Sequence, residues 1–401
     1  MNEGASNKIT KKGWMVLWWI GLLILLAQAA VSILLIISVV RLNILETWIT
    51  SLVIGALILL FILCGVPLLF RKRPMWALRI ICVLVSVLCI GGGAFALRYT
   101  ESFNTFFDKI SLSPAAIVDE GADEPKDKVL DVTKDPFVVY ISGSDSHTSV
   151  DDPTARSDVN IVVVVNPAKG KILLASIPRD TYVQLHGTTG LMDKLTHAGL
   201  EMYGSDMSKN TIQDYLGITI DHTIKVSFDT VVSVVDQLDG IEIYSDKALT
   251  LGASMKDGSK KRCNFIVGTQ FVDGACALSF ARERKSYSTG DKHRGENQQE
   301  VLAGLINKFI SSRDYILRLP EILEIASDSF ITDFSRDDIT NFIRFQLAEQ
   351  VKWQIDTANL DGVGDLLPTY TYPDQNLWVM LADEESLQFV KDKIHEYLGD
   401  K

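Results

Sequence analysis

The hydrophobic pattern divides the chain near residue 98. Before that point three apolar runs, Trp14–Val40, Trp48–Phe70 and Met75–Leu97, are separated only by short polar joints. At about 1.5 Å of helix rise per residue each can cross a bilayer core, so each predicts a membrane-spanning helix. The first run is too long for a signal-peptide core and a second follows at once, so the segment is expected to be retained. Lys8, Lys11 and Lys12 precede the first run, and Arg71, Lys72 and Arg73 separate the second from the third. The positive-inside rule puts both clusters on the cytoplasmic side and everything after Leu97 outside. Arg79 lies close enough to that side to reach the interface by extending its side chain.

Beyond the runs the pattern changes. Residues 99–136 are mixed and polar, which predicts a tether. PFVVYISGSDS predicts a strand ending in a turn, and VNIVVVVNPAKGKILLASIPRD predicts two buried strands joined by Asn-Pro-Ala-Lys-Gly. Continuous rather than alternating apolar residues point to a sheet covered on both faces. HTIKVSF and IEIYS predict further strands, with a helix between them capped by Asp229 and stopped by Gly240. The class is therefore α/β. Past Ser311 the chain is acidic and helical in pattern, with no legible chemistry. The expected organisation is a three-helix membrane anchor over 1–98, a linker over 99–136, a catalytic domain over 137–311, and a C-terminal helical extension of the catalytic body over 312–401.

Composition narrows the function. A net charge of −11 excludes general nucleic-acid binding, which needs a basic surface to neutralise phosphates. Of the five cysteines, Cys64, Cys82 and Cys89 lie in the apolar runs and act as small hydrophobes. Cys263 and Cys276 lie in the soluble part, and spacing leaves open whether they are bonded.

Against the acidic bulk, several polar residues stand where strands end. Asp145 follows FVVYISGS, Arg156 and Asp158 precede VNIVVVV, and Arg179 closes ILLASIP. In α/β sheets such ends form the ligand-binding rim. Leu302, Leu305, Ile306 and Phe309 trace an apolar helical stripe, and steps of four back from Leu302 reach Gln298 and Arg294, which puts both on the buried face. An inward arginine needs a partner or an anion, because an isolated buried charge is too costly. With Arg282, Arg284, Arg156 and Arg179 it predicts a guanidinium-rich site suited to a pyrophosphate. Salt bridges to Glu283, Glu296 or Asp291 are the bland alternative. Asp145 and Asp158 supply hard oxygen donors for Mg²⁺, with Mn²⁺ as a substitute, and Mg²⁺ needs only one or two carboxylates from a protein. Asp291 is placed to act as a general base or to hold an arginine.

The ordered motifs GSDS, ARSD, SIPRDTYV, MDKLTHA, VSFDTVVSVVDQLDGIEI, GTQFVDGACALSFARER and GDKHRGENQQEVL resemble the LytR-CpsA-Psr family over about 137–311. The three spans resemble its capsule-associated streptococcal branch. The resemblance implies an α/β/α sandwich with a central mixed sheet, binding a polyprenyl phosphate or pyrophosphate with its tail in an apolar tunnel. By position it implies head-group binding by Arg156, Arg179, Arg282, Arg284, Arg294 and Gln298, a phosphate-proximal Lys194, and a metal and catalytic role for Asp145 and Asp158. Leu195, Thr196 and His197 depart from the Asn-rich stretch often found after that lysine, and His197 is expected to be packed rather than catalytic.

The expected activity is Mg²⁺-dependent transfer of a glycan phosphate, capsular or a similar anionic polymer, from a polyprenyl pyrophosphate carrier to peptidoglycan. The expected partners are the membrane, the lipid-linked glycan, the peptidoglycan acceptor and capsule assembly proteins. A polyprenyl pyrophosphate hydrolase and a non-catalytic polyprenyl-lipid sensor are the rivals.

Overall fold

The computed structural model of the chain describes residues 3–42, 47–69, 76–110, 130–144, 156–200, 206–254, 259–288, 290–319, 322 and 330–399. They fall into two compact units, Met1–Thr105 and Phe106–Lys401. The first holds helices α1 (Glu3–Leu42) and α2 (Thr47–Leu69) and all but the last residues of α3 (Trp76–Ile110). Each contains a stretch long and apolar enough to cross a membrane: Trp18–Val40, Trp48–Gly65 and Ile80–Arg98. The third helix continues to Ile110, so the front of the predicted tether is helical. Residues 111–129 lie outside those described.

The second unit is built on a six-stranded mixed sheet. Its strands are β1 (Phe137–Ser144), β2 (Val159–Asn166), β3 (Lys171–Ser176), β6 (His222–Ser227), β11 (Phe330–Thr332) and β12 (Gln354–Asn359), in the order β11-β6-β1-β2-β3-β12. The remaining strands form two-stranded ladders: β4 (Tyr182–Gln184) with β5 (Met192–Lys194), β7 (Ile241–Ser245) with β10 (Gly268–Val272), β8 (Leu249–Ser254) with β9 (Lys260–Phe265), and β13 (Gly362–Pro368) with β14 (Asn376–Ala382). In the main sheet β1 pairs in parallel with β6 and β3 in parallel with β12, while β2 runs antiparallel to both β1 and β3. Four strands thus end at one edge.

Both sheet faces are covered, as the continuous apolar runs require. Val138, Tyr140, Val162, Val164, Leu173 and Ala175 point to one side, where they pack with helices α4 (Met207–Leu216) and α10 (Glu384–Leu398). Their chain neighbours Phe137, Val139, Ile161, Val163, Ile172 and Leu174 point to the other, against α7 (Gly290–Ser311) and α9 (Arg336–Glu349). The period of two along a strand divides one apolar run between two cores. A third core joins α5 (Phe228–Gln237), α6 (Gly274–Ala281) and the β7–β10 and β8–β9 ladders, and Cys263 and Cys276 are disulfide-bonded within it. A short α8 (Arg313–Leu317) follows α7.

Two readings of the sequence are corrected. Ser227, not Asp229, caps α5, its side chain accepting from the Thr230 amide. Residues 312–401 are not a helical extension: besides α8, α9 and α10 they supply β11 and β12 to the main sheet and the β13–β14 hairpin beside it. Their strands carry polar and apolar residues without clean alternation, so the longer helical stripes dominated the pattern.

Candidate functional site

The edge where β1, β3, β6 and β12 end is the edge where the charged residues gather. Arg179 follows β3, Asp158 precedes the antiparallel β2 and so reaches the same edge, and Phe228 follows β6. Helix α7 crosses above them. Gly295 allows this, because a Cβ there would lie 2.8 Å from Ser176 Oγ at the end of β3. Two buried amides pin the helix in place: Gln299 Nε2 donates to the carbonyls of Leu174 and Ala358, 2.8 Å each, and Asn297 Nδ2 donates to the Phe280 carbonyl at 3.1 Å. Gln299 thereby ties α7 to β3 and β12, and Asn297 ties it to α6, which leads into Arg282 and Arg284. Sequence reasoning passed over both amides, although they flank Gln298. The signal was there in two further amides beside an inward-facing one.

The result is a cleft of about 340 Å³ lined by Asp158, Arg179, Phe228, Arg282, Glu283, Arg284, Lys285, Arg294 and Gln298. Arg282 lies over the Phe228 ring, 5.3 Å from its centroid. A smaller chamber adjoins it, sharing Asp158, Arg179, Arg294 and Gln298 and adding Asn160, Ser176, Asp291, Lys292 and Asn359.

The charges in the cleft are unevenly paired. Arg179 Nη1 donates to Asp158 Oδ1 at 2.6 Å and its Nε to Asp180 Oδ2 at 3.4 Å. Burial works against its charge, but the Asp158 hydrogen bond with the Asp158, Asp180 and Asp291 carboxylates prevails and raises its pKa. Arg294 is different. Its side chain is only 12 % exposed and its partner is Asp291, at 3.3 Å, which lies 3.4 Å from Arg284 as well. Burial lowers the Arg294 pKa and repulsion from Arg179 and Arg284 adds to it, while Asp291 and Asp158 offset only part. One carboxylate serving two guanidiniums leaves a cationic surplus that an anion would satisfy. Asp291 here holds arginines, one of the two roles open to it from sequence.

Lys194 and Arg156 stand beside the cleft rather than in its wall. Lys194 Nζ donates to Asp180 Oδ1 at 2.8 Å, so Asp180 bridges Lys194 and Arg179. Arg156 is exposed and donates to the Tyr372 hydroxyl at 3.3 Å. Asp145, expected as the second metal carboxylate, lies outside the described residues. Among the described residues no group of three or more His, Cys, Asp or Glu side chains gathers as a metal site. Asp158 remains a hard oxygen donor on the cleft wall, and one such carboxylate beside substrate phosphates suits Mg²⁺.

His197 is packed. Its Nδ1 lies 2.6 Å from Asp193 Oδ1, with both side chains nearly inaccessible, and its ring meets the edge of Tyr372 at 5.3 Å. Asp193 Oδ2 accepts from the amide and hydroxyl of Thr371, at 2.8 and 2.5 Å, which anchors the turn between β13 and β14.

The LytR_cpsA_psr family model matches residues 106–394. The polyisoprenyl-teichoic acid–peptidoglycan teichoic acid transferase TagU of Enterococcus faecalis is 30 % identical over 268 residues, covering 67 % of this chain and 82 % of that protein. The transferase TagU of Bacillus subtilis is 29 % identical, covering 82 % of this chain and 98 % of the relative. Among solved structures, B. subtilis TagV superposes with a TM-score of 0.53 at 28 % identity, covering 67 % of this chain and 99 % of that one. TagT bound to LIIa-WTA superposes with a TM-score of 0.52 at 25 % identity, covering 70 % and 98 %.

Proposed function

Because the chain belongs to the LytR-CpsA-Psr family, we propose that it is a membrane-anchored phosphotransferase that moves an anionic glycopolymer, through one phosphate, from a polyprenyl pyrophosphate carrier to peptidoglycan. The observation that carries the proposal is the guanidinium cleft, in which the largely covered Arg294 has less than a full counter-charge beside the carboxylate of Asp158. The names of the relatives favour a teichoic acid over a capsular polysaccharide as the polymer to test first. Basic clusters before α1 and between α2 and α3 favour a catalytic unit outside the cell, and the Cys263–Cys276 disulfide fits that compartment.

In this reading the pyrophosphate lies against Arg179, Arg282, Arg284 and Arg294, whose forks match its oxygens. An acceptor hydroxyl attacks the phosphorus bearing the glycan, and polyprenyl phosphate departs with the electron pair of the bridging bond. The guanidiniums offset charge growing on the leaving oxygen, which requires that they be fixed beforehand. Asp180 and Asp291 do that fixing for Arg179, Lys194, Arg284 and Arg294. Asp158, with Asp145 beyond the described residues, would hold Mg²⁺. When bound, the ion supplies charge neutralisation at the phosphates.

The test is to incubate the full chain in nanodiscs with Mg²⁺, a polyprenyl-pyrophosphate-linked glycan and peptidoglycan fragments, and to follow the products by mass spectrometry. Glycan joined to the fragment through one phosphate is the expected product. Glycan phosphate released to water alone would make the protein a hydrolase, and lipid binding without turnover would make it a sensor.

A further inference from the structure

Beside Asp158 the sheet buries a group of polar side chains where its pattern is otherwise apolar. Tyr140 of β1, Asn160 of β2 and Ser157 just before β2 are all nearly inaccessible. They are paired with one another. The Tyr140 hydroxyl donates to Asn160 Oδ1 at 2.6 Å, the Ser157 hydroxyl donates to the same oxygen at 2.6 Å, and Asn160 Nδ2 donates back to the Ser157 carbonyl at 3.3 Å. Ser142, opposite Asn160 in the β1–β2 ladder, brings a fourth group, its Oγ 2.9 Å from Ser157 Oγ. A phenylalanine at position 140 would fill the same space among Val138, Val162 and Val164 without a hydroxyl to be paired. Fully paired, such a network rigidifies the backbone that carries it. That backbone carries Asp158. Ser157 and Asn160 flank it along the chain and are tied to each other across it, and the Asp158 amide donates to the Gly143 carbonyl at 2.8 Å. Gly199, which ends the short helical turn Leu195–Gly199 after Lys194, packs on the same segment: a Cβ there would lie 3.2 Å from the Ser157 amide nitrogen. Asp158 itself is not sealed in. Its side chain is 20 % exposed, its carboxylate is the partner of Arg179, and it lines both the cleft and the chamber.

We propose that Tyr140 is a positioning residue for the transfer reaction: from inside the core its hydroxyl, through Asn160 and Ser157, fixes the segment that holds Asp158 and so sets where the Asp158–Arg179 pair stands. The inference rests on the phosphotransferase reading. Tyr140 is covered on all sides, so it acts on the reaction through Asp158 and touches no substrate. Burial raises the pKa of its phenol, which keeps the hydroxyl a neutral donor to Asn160. Charged groups lower a barrier only when they are fixed before the reaction, and a misplacement of about 1 Å can cost about a hundredfold in rate. Asp158 and Arg179 come from two different strand ends, and their ion pair alone ties them to each other rather than to the sheet. The hydroxyl network supplies the second tie, from Asp158 to β1.

The experiment compares the full chain in nanodiscs with Tyr140→Phe, Asp158→Ala and the double variant, measuring transfer to peptidoglycan fragments, binding of inorganic pyrophosphate by calorimetry, and thermal unfolding. Tyr140→Phe should lower kcat for transfer about tenfold, the lower end of what losing a group that orients an active-site ligand costs. KM for the lipid donor and pyrophosphate affinity should stay within about twofold of the parent chain. The melting temperature should fall by only a few degrees, because Ser157 still donates to Asn160 Oδ1. In the Asp158→Ala background the same substitution should change kcat by less than about twofold, since the group it positions is gone. Unchanged kcat in Tyr140→Phe, or an equal loss with and without Asp158, would overturn the assignment while leaving the transferase reading intact. Loss of pyrophosphate binding or of the folded state in Tyr140→Phe would make the hydroxyl a determinant of the fold and would also overturn it. Pyrophosphate binding with no turnover in the parent chain would overturn both.

Discussion

Arg179 Nη1 lies 2.6 Å from Asp158 Oδ1, across the gap between the end of β3 and the start of β2. The pair joins the cation expected to hold a phosphate to the carboxylate expected to act beside it, and it leaves the second Asp158 oxygen for another partner. Asp158→Ala should cut transfer about a hundredfold, the scale of losing one preorganised electrostatic group. Arg179→Ala should do the same and also weaken pyrophosphate binding. Product formation by mass spectrometry and calorimetry with pyrophosphate distinguish the two, and full activity in either variant would remove the pair from the mechanism.

Removing the Arg294 charge should cost the ligand-free protein nothing. Its charge is buried and under-compensated, so Arg294→Met should leave the melting temperature of the ligand-free chain unchanged or raise it, as replacement of buried ions by apolar groups often does. Pyrophosphate at a hundredfold its Kd should stabilise the parent chain by about 2.7 kcal/mol and the variant by nothing. Scanning calorimetry with and without the ligand checks both halves. A variant that is less stable and still binds would contradict them.

Asp193 sets an acid limit. Burial alone would raise its pKa, but hydrogen bonds from His197, Thr371 and the Lys194 amide hold it below the ordinary carboxylate value. A depressed pKa contributes stability that is present above the unfolded value, about 3.9, and is lost as pH falls through the folded value. Asp193→Asn should therefore lower stability near neutrality by about 3 kcal/mol and flatten the decline below about pH 4. Unfolding midpoints from pH 3 to pH 7 for both chains would show it. Parallel curves would mean that the carboxylate is not the group responsible.

Cys263 and Cys276 close a loop with a sequence separation of 13. On the chain-entropy account, replacing both with serine should destabilise the fold by about 3 kcal/mol. Reductant should lower the melting temperature of the parent chain toward that of the variant and leave the variant unmoved.

The sequence carried the membrane helices, the covered sheet and the inward turn of Arg294 and Gln298, because each is written as a local period of apolar residues. The rule that ligands meet strand ends also brought Asp158 and Arg179 to one rim, and Arg282 and Arg284 were added to it as the charges closing the element before α7. The sequence did not show Asn359. That residue ends QIDTAN, a strand with little apolar pattern whose partner β3 lies far back in the chain, and pairing across such a distance leaves no local trace. The amides of Asn297 and Gln299 stand in the sequence beside the inward-facing Gln298, but the carbonyls they hold lie on other elements and left no local trace.

That late strand also sets the order in which the molecule can be finished. β12 is an edge strand in parallel register with β3, from Gln354 opposite Lys171 to Asn359 opposite Ser176. A chain emerging from the ribosome has every cleft arginine long before it has the strand that completes the chamber. Nascent protein up to the end of α7 would therefore bear the arginines of the cleft without the strand that walls the chamber beside them, and only synthesis through Leu360 would complete that wall.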